Sequence, residues 1–73
     1  MPKLPVLSGR EVVRGLGLLG FEVVSQKGSH VKLRRGGATV IVPDHREVRR
    51  GTLAAILQQA GVTIDHLMTA LSH

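Results

Sequence analysis

The hydrophobic pattern changes rhythm along this chain. After Ser8 the apolar residues Val12, Leu16 and Leu19 recur at intervals of three and four, which is the spacing of one helix face. From Phe21 the rhythm shortens: FEVVSQ, HVKLR and ATVIV are short runs rich in β-branched residues, separated by the turn signals KGS and RGG. Helical spacing returns in TLAAILQQAG, with an apolar stripe of Leu53, Ile56, Leu57 and Ala60, and again in TIDHLMTAL, with Ile64, Leu67, Met68 and Leu71. The predicted order is helix, three strands, helix and a short terminal helix.

Polar residues mark the boundaries. Ser8 and Glu11 have capping-box spacing, the hydroxyl accepting from the N3 amide while the carboxylate reaches back to the cap amide. Gly20 is placed to stop that helix, whereas Gly15 and Gly17 weaken it by up to about 1 kcal/mol each, a cost that close approach of a neighbouring element would explain. In the second half Thr52 and Thr63 are expected N-caps and Gly61 a stop, with PDHREVRRG forming a loop punctuated by Pro43 and Gly51. Turns this short imply an antiparallel meander, and apolar helix stripes require a sheet to cover, so the fold class is α+β, a two-layer α-β-β-β-α sandwich with helices on one face. Phe21 belongs to its core and Glu22 to an exposed strand position.

Alternation in the second strand has a chemical consequence. With Val31 and Leu33 turned to the helices, His30, Lys32 and Arg34 share the open face, close to Lys27 and the turn residues Gly28 and Ser29. Charge reinforces this picture, because 10 Lys and Arg against 5 Asp and Glu give a net charge of +5, and residues 51–73 hold no cation at all. A basic front and middle favours a polyanionic partner, with nucleic acid first. Seventy-three residues suit one small domain, residues 1–73. The absence of cysteine fits a cytoplasmic chain, and no apolar run approaches the roughly 20 residues of a membrane span, so a soluble protein without a membrane partner is expected.

Few chemistries survive inspection. There is no HExxH, no Walker-type loop and no calcium-loop motif, and five scattered carboxylates suit neither a two-metal nuclease nor a paired-carboxylate hydrolase, so no metal or cofactor is expected. Ser29 directly precedes His30, so on a regular strand the two side chains point to opposite faces, unlike a serine hydrolase pair. His30 has two readings: an ordinary exposed strand histidine, or an acid–base group whose imidazole ordinarily titrates at about 6.5. RNA cleavage requires little more, since the 2′-hydroxyl is an internal nucleophile and Lys27, Lys32 and Arg34 are available to stabilise a phosphorane. His45 lies beside Arg46, Arg49 and Arg50 in a segment that reads either as a phosphate-contact loop or as a solvated basic loop; His66 and His73 have no supporting cluster. With a single aromatic, the chain has no base-stacking platform and should grip RNA backbone and 2′-hydroxyls.

SGREVVRGLGLLGF, QKGSHVKLRR, VIVPDHREVRRGTLAAILQQAG and VTIDHLMTAL together resemble the HicA-type (YcfA-like) mRNA interferase toxins, over about residues 8–71. The most specific parts are GSH at 28–30 and the run from Pro43 to Gly61. The resemblance implies a fold like the double-stranded RNA-binding domain, metal-independent cleavage of mRNA by the histidine of GSH, here His30, and a HicB-type antitoxin as partner. Val31 stands where members often carry a second histidine or an aromatic, and the acid for the leaving oxygen is unassigned. Two other classes compete. A non-catalytic double-stranded RNA-binding module shares the predicted fold but is opposed by the lack of a lysine cluster at the start of GTLAAIL, and a protein-binding adaptor would show little salt-dependent affinity for RNA.

Overall fold

A computed structural model describes residues 4–72. Its elements are α1 (Gly9–Leu18), β1 (Glu22–Lys27), β2 (His30–Arg35), β3 (Ala38–Pro43), α2 (Arg50–Ala60) and α3 (Ile64–Leu71). The strands form one antiparallel sheet in the order β1-β2-β3, and the helices flank it, giving the expected α-β-β-β-α topology. Among the described residues no helix is long and apolar enough to cross a membrane.

The capping box starts α1 as the spacing predicts: Glu11 N–H donates to Ser8 Oγ at 3.1 Å, and Ser8 N–H donates to Glu11 Oε1 at 2.9 Å. The Ser8 backbone N–H, with help from the Ser8 hydroxyl and Arg14, holds the Glu11 carboxyl below its usual value. Gly20 takes a φ of +99°, and its N–H donates to Gly17 O while Phe21 N–H donates to Leu16 O. Those two bonds form a Schellman stop, in which Leu16 and Phe21 are both buried. Arg35 closes this corner, its guanidinium 4.6 Å above the Phe21 ring and donating to Leu19 O at 2.7 Å.

The core lies between the helices and one sheet face. Val31, Leu33, Val40 and Val42 alternate inward from β2 and β3 and meet Val12 and Leu16 of α1, the stripe of Leu53, Ile56, Leu57 and Ala60 on α2, and Leu67 of α3. Each fully buried aliphatic side chain contributes about 1.5–3 kcal/mol, so this single cluster supplies most of the favourable term in folding. Of the two glycines expected to weaken α1, Gly15 meets the expectation of close packing: a Cβ there would collide with Leu67 and lie 3.2 Å from Leu71 Cγ. Gly17 does not, since nothing lies within 4 Å of its Cβ direction.

Three expectations are corrected. Thr52 does not cap α2; the cap is Arg49, the first intrahelical bond runs from Leu53 N–H to Arg49 O, and Gly51 lies inside the helix instead of punctuating the loop. The cause is tertiary, because Val48 is bridged to Leu7 with Val48 N–H donating to Leu7 O at 2.7 Å, and the chain turns helical directly after this anchor. Met68 is exposed although its spacing placed it in the core stripe. Helix α3 packs on α1 through Leu67, Ile64 and Leu71, and Met68, about 100° round the axis from Leu67, lies outside that packed face.

Candidate active site

The uncovered sheet face carries the chemistry. Cross-strand pairing sets Lys27 opposite His30 and Ser25 opposite Lys32 on one side, and Pro43 opposite His30 and Ile41 opposite Lys32 on the other. A β-bulge at Val24 shifts β1 by one residue, and this shift brings Ser25 and Lys27 onto the face that His30 and Lys32 occupy. Val31 projects the opposite way and is buried, so no side chain at that position reaches the open face.

The turn before His30 is held by two bonds. Gly28 adopts a φ of +58°, a conformation that glycine alone takes at no steric cost, and its carbonyl accepts from Gln26 Nε2 at 3.2 Å. Ser29 contributes its backbone: its carbonyl accepts from Asp44 N–H at 2.6 Å. The loop after β3 is in turn tied to α1, with Gly9 N–H donating to His45 O at 2.8 Å. Gly9 allows that contact, because a Cβ on it would lie 2.7 Å from Asp44 Cα and 3.0 Å from His45 N.

Two shallow grooves meet at His30 and Ile41. One is lined by Ser25, Lys27 and Lys32; the other by Pro43, His45, Glu47, Val48, Arg49 and Thr52. Lys27, Lys32 and Arg49 thus surround the exposed imidazole of His30 with positive charge. The first turn of α2 adds to it, since its N-cap offers no side-chain acceptor and the orphan N–H groups of that turn carry the positive end of the helix dipole.

The remaining residues from the sequence reading are dispersed. Arg34 shares the open face but sits about 13 Å along the strand from His30, paired with Glu22 and Thr39, and lines neither groove. Arg46 and Arg50 are exposed beside the second groove without lining it. His66 lies near the far end of α1, in a depression with Leu18 and Leu19, and His73 is outside the described residues. Among the described residues no three His, Cys, Asp or Glu side chains are grouped to hold a metal ion.

Ser25, His45, Glu47 and Thr52 are the polar groove residues that sequence reasoning did not assign to the site. A signal for His45 was present: a hairpin symmetric about Gly36 and Gly37 pairs His30 with Pro43, and His45 follows two residues later. A family model described as HicA toxin of bacterial toxin-antitoxin matches residues 9–62, a span that runs from the start of α1 past the end of α2 and contains both histidines of the groove. No curated protein matches the chain.

Proposed function

The chain belongs to the HicA toxin family, and from that premise we propose that it is a metal-independent endoribonuclease that cuts mRNA in the cytoplasm and so halts translation. His30 is the catalytic histidine, exchanging a proton with the reacting 2′-hydroxyl or the leaving oxygen, and Gly28 and Ser29 form the turn that presents it. Lys27, Lys32 and Arg49 neutralise the scissile phosphate and the charge that develops on the phosphorane. Arg34, Arg46 and Arg50 hold phosphates farther along the strand. A HicB-type antitoxin is the partner that covers this face, and its addition should suppress cleavage.

The observation that carries this reading is the placement of His30, exposed on the open face between grooves bordered by Lys27, Lys32 and Arg49. Phe21, the one Phe, Tyr or Trp of the sequence, is buried in the core, so the open face has no such ring for base stacking and suits recognition of backbone and 2′-hydroxyl groups.

One observation favours a second reading, a double-stranded RNA-binding module without activity. Because α2 starts at Arg50 with Arg49 as its cap, two cations stand at the N-terminus of the second helix, where the sequence reading placed none. The two readings separate in one experiment: wild type and His30→Ala are incubated with labelled single-stranded RNA in excess EDTA. Cleavage by wild type alone, with RNA affinity retained in the variant, is expected. Binding without cleavage by either protein would establish the module instead.

A further inference from the structure

The nuclease reading leaves one proton unaccounted for. In-line attack of a 2′-oxygen on phosphorus forms the O2′–P bond and breaks the P–O5′ bond, whose electron pair departs with the 5′-oxygen. One group must take the 2′-hydroxyl proton and another must give a proton to the leaving oxygen. A single histidine performs both only in succession.

Resting on that reading, we propose that His45 is the second catalytic residue, the general acid that protonates the 5′-oxygen while His30 accepts the 2′-hydroxyl proton. The products are a 2′,3′-cyclic phosphate and a 5′-hydroxyl, with His30 protonated and His45 neutral until water exchanges their protons back.

The arrangement is built by backbone. His30 pairs with Pro43 across the sheet, and Asp44 N–H donates to Ser29 O at 2.6 Å, so the residues before the two histidines are bonded to each other. His45 N–H donates to Pro43 O at 2.9 Å, and Gly9 N–H holds the His45 carbonyl at 2.8 Å. Both imidazoles line one groove with Arg49, which supplies a cation for a phosphate lying between them. The roles are assigned by position: His30, where the two grooves meet beside Lys27 and Lys32, takes the acceptor role, and His45, which lines only the groove shared with Arg49, takes the donor role.

The test uses two substrates, an RNA with a normal phosphodiester and one with sulfur replacing the bridging 5′-oxygen, whose thiolate leaves without protonation. His45→Ala should cut the normal RNA about 10²–10⁴-fold more slowly than wild type, bind it within a few-fold of wild type, and recover on the sulfur-bridged RNA. His30→Ala should be slow on both. His45→Gln, with melting temperature measured for each variant, guards against loss by misfolding, since a folded His45→Gln must show the same defect and the same rescue. Wild-type cleavage with His45→Ala within threefold of it on normal RNA would overturn the role of His45 alone, as would an equal loss on both substrates. Absence of cleavage by the wild type would overturn the nuclease reading itself.

Discussion

Two sets of residues on one strand lead separate lives. On β2, Val31 and Leu33 are 5% and 0% exposed, locked among the helices, while His30, Lys32 and Arg34 alternate with them on the bare face. The lesson is that in so small a chain the core and the site need not compete for residues, because the pleat sorts them at every second position. The same comparison fails on β1, where all six residues are exposed and the helices provide no cover. There the bulge at Val24, not burial, decides which side chains join the site.

The largest effects should come from setting neighbours on β2 against each other. Leu33→Ala should lower stability by about 2–5 kcal/mol, by lost burial and the cavity left behind. Lys32→Ala, one residue away, should stay within about 0.5 kcal/mol of wild type yet reduce the slope of log affinity for RNA against log salt by about 1. Denaturant titration and RNA binding at graded salt read both; equal destabilisation would mean that the two faces are not independent. A smaller effect, about 1–3 kcal/mol, is expected for Gly9→Ala, because the new methyl group meets the backbone of Asp44 and His45 and forces α1 away from the loop. That variant should lose more activity than stability, unlike Leu33→Ala, and amide chemical shifts of residues 43–46 should move.

Smallest are the effects at the cap. Ser8→Ala should cost about 1 kcal/mol without touching either sheet face. Glu11, whose folded carboxyl titrates below its usual value, adds stability that is fully present above the ordinary carboxylate range and disappears as pH falls through the folded value. Glu11→Gln should therefore differ from wild type in melting temperature at pH 7 and converge with it in strong acid; a difference independent of pH would assign the effect to the hydrogen bond alone.

Local features were legible in the sequence and assembled ones were not. The capping box, the Gly20 stop and the alternation of β2 depend on residues close in the chain, and each stands where the pattern places it. The start of α2 could not be read in the same way, because Val48 is anchored by an isolated bridge to Leu7, ahead of α1, and this bridge sets the cap three residues ahead of Thr52. Gly15 is explained only by Leu67 and Leu71, and Met68 only by which face of α3 packs on α1. For the candidate site, the basic face around His30 follows from alternation and the turn. The approach of His45 needs the hairpin register and the Asp44 to Ser29 bond together, a combination that no local motif encodes.

The bulge at Val24 has a colloidal consequence as well. Strand β1 ends the sheet, and its adjacent valines, Val23 and Val24, are 55% and 45% exposed. A straight apolar edge of this kind is a template on which other copies add strands and precipitate. The extra residue breaks the regular ladder in the middle of the strand, and Glu22 and Lys27 place a charge at each end, so on this side of the sheet a second chain finds no long unbroken edge to extend. The irregularity that arranges the basic face thereby also makes that edge a poor template for added strands.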